Sequence, residues 1–380
     1  MRVLDADGHI FEPEAMFANI DPEFYARRPV TVSLPLDTDS GDSNQVWLVE
    51  GKMAPRVSGP GATFPGSFPG SPAALSRRAS LGSQTLEDVE ARLEGMGEFG
   101  IHEQVIYPTL FLESIAHDVR LEGALYRAYN DYLAAACARS HGRLKFTACV
   151  PWRDPEAAVA EVNRVSDLGA AGIFTMGVIF DRHLDDPHFY PVYQAASDLD
   201  LPVCVHLGWG SPGATQLFDR NSFFCGATVP VIWGFAFVMA SGLLGRFPKL
   251  RMGFIETGAL WVPYVINQVR RHYQPPTVIR QGKQKPRPAQ TATIDRDYYR
   301  DPVDWFKDGR AFVTFETEED LPHLLQHLGE DSLMLSSDYP HGDPSADEMF
   351  LEKISMRQDV PDRVKEKLVG GNAARFYRVD

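Results

Sequence analysis

Asp5, Asp7 and His9 stand at alternate positions in Asp5-Ala6-Asp7-Gly8-His9-Ile10-Phe11-Glu12-Pro13. On an extended strand alternate side chains share a face, so the three are expected to project together. Three ionisable groups on a buried face are costly unless paired or bound to a cation. A solvated edge strand is the plainer reading, but the apolar lead of Met1-Arg2-Val3-Leu4 fits it poorly. Three more polar residues close apolar runs: His206 after Val203-Cys204-Val205, Glu256 after Gly253-Phe254-Ile255, and Asp338 after Leu335-Ser336-Ser337. Tyr339, Pro340 and His341 follow directly on Asp338. Taken singly these are a hydrogen-bonded histidine, a solvated acid and a turn residue. Taken together they suit a metal site, provided the fold brings the ends of the runs to one place.

The elements that must do so are eight short apolar runs, at 2–9, 103–109, 144–150, 171–176, 201–207, 250–257, 311–317 and 333–338. Most are near-continuously apolar with polar residues at the C-terminal end, as in buried parallel strands. Helical periodicity fills the intervals. Thr85-Leu86-Glu87-Asp88 opens an amphipathic run to Phe99, Asp154 followed by Pro155 starts another towards Asp167, and Ser345 with Glu348 reads as a capping box. Eight strand–helix alternations predict an α/β fold, a (β/α)8 TIM barrel over 1–380 with its site at the C-terminal mouth. An open doubly wound sheet is the alternative, but no Gly-x-Gly-x-x-Gly follows the first strand. Two insertions break the repeat, 30–82 after strand one and 274–309 before strand seven, each either a lid or a solvated loop. Within the first, Gln45-Val46-Trp47-Leu48-Val49-Glu50-Gly51-Lys52 alternates like half of a small hairpin.

The 380 residues carry a formal net charge of -14, which disfavours nucleic acid and anionic membrane surfaces as partners. Cys137, Cys149, Cys204 and Cys225 are widely spaced with no Cys-x-x-Cys pair, the pattern of reduced thiols in a cytoplasmic protein. The opening residues do not read as a secretory signal. The apolar run from Ala227 to Gly245 contains Pro230 and three glycines, and reads as a buried helix of a soluble protein.

Asp7-x-His9, His206 and Asp338 resemble the metal-ligand pattern of the second amidohydrolase family, the aminocarboxymuconate-semialdehyde-decarboxylase-like barrels. The resemblance extends through Gly100-Ile101-His102-Glu103-Gln104-Val105-Ile106-Tyr107-Pro108-Thr109 to Gly371-Asn372-Ala373-Ala374-Arg375-Phe376-Tyr377, similar to the family's C-terminal helix. It implies a divalent metal held by Asp7, His9, His206 and Asp338. Many members carry a histidine on strand six where Glu256 stands here, and Glu12 is a further acid. With Asp7, His9, Glu12, His206, Glu256 and Asp338 as ligands, carboxylates outnumber imidazoles too far for a closed tetrahedral zinc, and two iron ions suit the set.

The combination of Asp-x-Asp-x-His-x-x-Glu-Pro, Glu-Thr-Gly and Ser-Asp-Tyr-Pro-His is similar to a non-haem di-iron monooxygenase branch of these barrels. That implies O2 as co-substrate and a small-molecule acid or acyl-CoA as substrate. Asp5, Tyr339 and His341 are then expected in catalytic roles, with Trp209, Phe223, Phe224, Trp233 and Trp261 as wall candidates. A basic stretch of Arg270, Arg271, Arg280, Lys283, Lys285 and Arg287 is a candidate for CoA phosphates, or a solvated loop. The alternative is one zinc or manganese ion serving a non-oxidative decarboxylase or a hydrolase, with Glu12 and Glu256 orienting the ligands. A barrel without activity, acting only as a scaffold, would have lost ligands, and none is missing. A symmetric homodimer is the expected assembly.

Overall fold

The computed structural model describes residues 2–34, 45–55, 79–217, 223–273, 297–342 and 345–379. Eight parallel strands form one sheet in sequence order: β1 (Leu4–His9), β2 (Glu103–Tyr107), β3 (Leu144–Cys149), β4 (Gly172–Met176), β5 (Val203–His206), β6 (Met252–Ile255), β7 (Ala311–Phe315) and β8 (Leu333–Leu335). Each is followed by a helix: α1 (Val89–Glu98), α2 (Val119–Ala138), α3 (Pro155–Asp167), α4 (Tyr190–Asp198), α5 (Val229–Ser241), α6 (Trp261–Tyr273), α7 (Leu321–Leu328) and α8 (Phe350–Met356). This is the expected (β/α)8 barrel. The strands bury both faces, as a parallel sheet walled by helices requires. Asp154 caps α3 by accepting the Ala157 N–H at 3.2 Å, with Pro155 in the first turn. Asp88, not Thr85, caps α1, because Leu86 takes a left-handed φ of 57° and breaks the run.

The barrel is nearly closed between β8 and β1, where Asp338 donates its N–H to the Asp7 carbonyl at 3.0 Å and His9 donates to Tyr339 at 2.9 Å. A polar network under this seam spans three strands. Fully buried Arg92 on α1 donates to Gln104 Oε1 and to the carbonyls of His9 and Tyr339, at 2.6, 2.9 and 2.9 Å. The Gln104 amide in turn donates to Asp5 Oδ2 at 2.6 Å, and Asp5 Oδ1 accepts the Ser337 N–H at 2.9 Å.

In the insertion after β1, Val30–Ser33, Gln45–Val49 and Lys52–Pro55 form an antiparallel three-stranded sheet. Glu50 and Gly51 turn its hairpin with φ of 48° and 76°, both in the left-handed region that two-residue hairpins favour. Asp301 caps the short helix Pro302–Lys307 in the second insertion. The other parts of both insertions, and with them the lid expectation, lie outside the described residues.

One helix among the described residues, Phe224–Ser241, is long and apolar enough by composition to cross a membrane, and 56% of it is buried in the fold. The expected capping box at Ser345 does not form. Helix α8 begins only at Phe350, behind Met349, which makes no side-chain cap.

Arg92 is the keystone of the seam. Replacing it by methionine keeps the volume but strands two carbonyls and the Gln104–Asp5 pair. Denaturant unfolding of R92M is expected to show a loss of ~3–5 kcal/mol. A loss under ~1 kcal/mol, the range of a surface substitution, would show that the seam is held elsewhere.

Candidate metal centre at the barrel mouth

Asp7 and His9 on β1, His206 at the end of β5 and Glu256 just past β6 bring one ligand atom each within 4.8 Å of one another, and His9, Asp338 and His341 form an overlapping group. All six are buried. His206 Nε2 lies 3.3 Å from Asp7 Oδ1 and 3.1 Å from Glu256 Oε2. His9 Nε2 lies 3.4 Å from Asp7 Oδ1 and 3.3 Å from Asp338 Oδ1. The ends of four strands thus meet, as barrel geometry dictates.

Both imidazoles are oriented from behind. His9 Nδ1 is 3.0 Å from the Pro108 carbonyl and His206 Nδ1 is 2.8 Å from the Leu207 carbonyl. A carbonyl only accepts, so each Nδ1 carries a proton, and each Nε2 is the ring atom that faces the carboxylates. His341 stacks on His9 with ring centroids 3.9 Å apart, between Asp338 Oδ1 at 2.9 Å from its Nδ1 and Thr109 Oγ1 at 2.9 Å from its Nε2.

Burial would push the Asp7 carboxyl up, but attraction to His206, with hydrogen bonds from His206 and His9, holds it below the usual carboxylate range. Burial, reinforced by His9 and His206, pushes His341 well below the ordinary imidazole range, so it is neutral at pH 7. Asp7 Oδ2 is buried with no hydrogen-bond partner among the described residues. Asp7, Glu256 and the Nε2 atoms of His9 and His206 form one group of neighbouring donors, Asp338 adjoins it through His9, and a donor set of this kind fits a divalent cation of hard to borderline character.

The backbone is shaped for this. Glu256 and Asp338 take φ of 59° and 57°, unusual for residues with side chains, and such strain gathers at functional sites. The Thr314 hydroxyl accepts the Glu256 N–H at 2.8 Å. Ser345 Oγ donates to Glu256 Oε1 at 2.8 Å and lies 3.4 Å from Asp338 Oδ2.

Other expected site residues stand apart. Asp5 does not share the face of Asp7 and His9. Between Asp5 and Gly8 the register against β2 slips by one residue, because three steps on β1 match two on β2. This bulge turns Asp5 towards Gln104 and Ser337, where burial pushes its carboxyl up to about 6. Glu12 belongs to neither group of converging atoms. Its two oxygens accept the Thr109 and Leu110 N–H groups at 2.9 Å each, and burial pushes its carboxyl up to about 7. Tyr339 packs its ring under the Arg92 guanidinium at 4.4 Å and its hydroxyl lies 3.3 Å from Ser83 Oγ, facing α1 and away from the cluster.

Among the wall candidates, Trp209 and Phe223 meet edge to face with centroids 5.3 Å apart. Phe224 and Trp233 face solvent, and the Trp261 indole donates to Thr257 and Gly258 carbonyls at 3.1 and 2.9 Å. Arg270 is matched by Asp301, with hydrogen bonds of 2.7 and 2.6 Å, while Arg280, Lys283, Lys285 and Arg287 lie outside the described residues. Thr109 and Ser345 were not expected at the site. Thr109 follows a strand end, the position from which site residues come, whereas nothing in the spacing of Ser345 separates a capping residue from a carboxylate's partner.

Residues 85–379 match the family model described as Amidohydrolase, and the chain belongs to that family. Among curated proteins it is 25% identical to gamma-resorcylate decarboxylase of Polaromonas sp. (strain JS666) over 323 residues, 79% of this chain and 90% of that one. Among solved structures it resembles the amidohydrolase map2389c of Mycobacterium avium subsp. paratuberculosis K-10, with a TM-score of 0.77, 21% identity and coverage of 100% and 98% of the two chains. It also resembles 5-carboxyvanillate decarboxylase of Novosphingobium aromaticivorans DSM 12444, solved with manganese and 4-hydroxy-3-methoxy-5-nitrobenzoic acid, with a TM-score of 0.68, 19% identity and coverage of 100% and 96%.

These relatives correct the expected chemistry. Two of them are named as decarboxylases, which are lyases, and the structure of one holds manganese, whereas two irons and O2 were expected here. The di-iron monooxygenase assignment is therefore withdrawn. Its structural prop fails too, since Glu12 and Asp5, two of the carboxylates that argued for a second ion, are engaged elsewhere.

Like charges packed this closely should weaken the metal-free fold. D338N removes one of them, and asparagine tolerates a left-handed φ. In chelator, its unfolding free energy is expected to exceed that of the native sequence by ~1 kcal/mol. Equal or lower stability would contradict electrostatic strain at this site.

Proposed function

We propose that the chain is a metal-dependent, non-oxidative decarboxylase of a small aromatic acid, with one divalent ion, manganese or zinc, held by Asp7, His9, His206 and Asp338 and with Glu256 beside them. The observation that carries this reading is the buried group of the His9 and His206 Nε2 atoms with the Asp7 and Glu256 carboxylates, which Asp338 adjoins at 3.3 Å from His9 Nε2. The decarboxylase relatives give the reaction class its support.

A divalent ion held by these residues would supply a Lewis acid for the substrate carboxylate. The protein's residues do the rest. Proton delivery to the ring carbon that bears the carboxylate is assigned to Asp338, whose Oδ1 faces His341 Nδ1 at 2.9 Å. The bond to the carboxylate carbon then breaks, its electron pair returns to the ring and CO2 departs, so no external oxidant or reductant is consumed. His341, neutral and held by Thr109, keeps the Asp338 carboxyl in place. The buried setting keeps bulk water from the reacting ring carbon.

A small acid is preferred to an acyl-CoA because Arg270, the described member of the basic stretch whose pairing is resolved, is already matched by Asp301. A reducing cytoplasmic location fits the four free thiols. A symmetric dimer fits the exposed Trp233 on α5 and Tyr264 on the adjoining α6.

The test is metal analysis of protein purified without chelator, with CO2 release from a panel of hydroxybenzoates. About one manganese or zinc per chain is expected, lost in H206A, with D338N keeping the metal and losing ~10²–10⁴-fold in kcat. Full metal retention in H206A would overturn the ligand assignment. Hydrolysis without CO2 release from any aromatic acid would overturn the reaction class.

A further inference from the structure

Glu12 lies just beyond β1, and sequence spacing alone makes it a ligand. Its carboxylate instead takes the Thr109 and Leu110 N–H groups at 2.9 Å each, and it is 5% exposed. Those two amides follow Pro108, whose carbonyl accepts the His9 Nδ1 proton at 3.0 Å. Thr109 Oγ1 is 2.9 Å from His341 Nε2 and 3.4 Å from His9 Nδ1. The turn 108–110 is therefore the rear support of two stacked imidazoles, and Glu12 is the group that fixes its backbone.

A buried carboxylate accepting two main-chain N–H groups makes charge-assisted bonds, stronger than the neutral bonds that usually hold a turn. Without it, two amides would be left in an apolar setting and the turn would relax towards other donors and acceptors. The Pro108 carbonyl would then no longer hold His9 as the tautomer with a proton on Nδ1. The Thr109 hydroxyl would no longer hold His341 against Asp338.

We propose that Glu12 is a positioning residue, not a ligand: through the 108–110 turn it fixes the tautomer and ring plane of His9 and the place of His341, and so sets affinity for the divalent ion. The proposal rests on the ligand reading above, in which His9 Nε2 binds the ion. Outer partners of metal-binding histidines typically contribute 10–100-fold to affinity.

The test is Mn2+ binding to the metal-free full-length protein, measured by calorimetry, with no need of turnover. E12Q is near-isosteric but sets an amide N–H2 against one main-chain N–H. T109V keeps the shape of Thr109 and removes its hydroxyl. Each is expected to weaken Mn2+ binding by ~10–100-fold. Because both act through one turn, the double variant E12Q/T109V is expected to lose much less than the product of the two single losses.

A merely structural Glu12 would lower the thermal stability of the metal-free protein and leave the Mn2+ dissociation constant unchanged, which overturns the proposal. Multiplicative losses in the double variant overturn it as well, since Glu12 and Thr109 would then act independently. Should E12Q fail to fold, T109V decides: unchanged Mn2+ affinity refutes the support role of the turn, and a ~10-fold loss upholds it. H206A separates this inference from its foundation. If H206A binds Mn2+ normally, the ligand reading itself is wrong; if H206A loses binding while E12Q and T109V keep it, only the role of Glu12 falls.

Discussion

Asp338 and His9 each donate a main-chain hydrogen bond across the seam where the last strand of the barrel meets the first, Asp338 to the Asp7 carbonyl and His9 to the Tyr339 carbonyl. Strand β8 holds only Leu333–Leu335, so regular pairing alone gives this seam little support. The buried network from Arg92 through Gln104 and Asp5 to Ser337 supplies the remainder. The carboxylates of Asp7 and Asp338, residues 331 positions apart in the chain, are set by that contact. Without a closed seam there is no common mouth, and the strand-end residues would have nothing to converge upon.

Upon that frame the site accumulates groups that oppose folding. Three carboxylates and two non-glycine residues at positive φ are unfavourable in a metal-free interior. Their cost is offset locally by hydrogen bonds aimed from behind: Pro108 and Leu207 at the histidines, Thr314 at the Glu256 main chain and Ser345 at its side chain. These bonds leave the imidazole Nε2 atoms and the carboxylate oxygens facing one another. A site that is unfavourable when empty and preorganised for a cation is what binding chemistry requires, because the ion meets ligands already oriented.

The balance of oxygen and nitrogen donors explains both the first functional reading and its correction. Counted along the sequence, Asp5, Asp7, Glu12, Glu256 and Asp338 look like enough carboxylates for two ions. In space, Asp5 belongs to the seam and Glu12 to the 108–110 turn, leaving three with His9 and His206. Decarboxylation needs a proton and a Lewis acid and no change of oxidation state, and that smaller set is adequate to it.

The eight strands were legible along the chain because a parallel sheet buried on both faces must be apolar almost throughout, and runs such as Gly172–Met176 could belong to little else. Polar residues at the ends of such runs were equally legible, and Asp7, His9, His206, Glu256 and Asp338 were found that way. Alternation, by contrast, predicts a shared face only while the register is regular, and the bulge between Asp5 and Gly8 is an interaction with β2 that β1 does not encode by itself. Glu12 and Ser345 carry no local mark of whether they bind an ion, a turn or another side chain. Residue type and period thus determined the fold and most of the ligand set. Which carboxylates face the mouth was decided by contacts between segments far apart in the chain, 97 residues for Glu12 with Thr109 and 99 for Asp5 with Gln104, because a side chain's role depends on the donor that reaches it first.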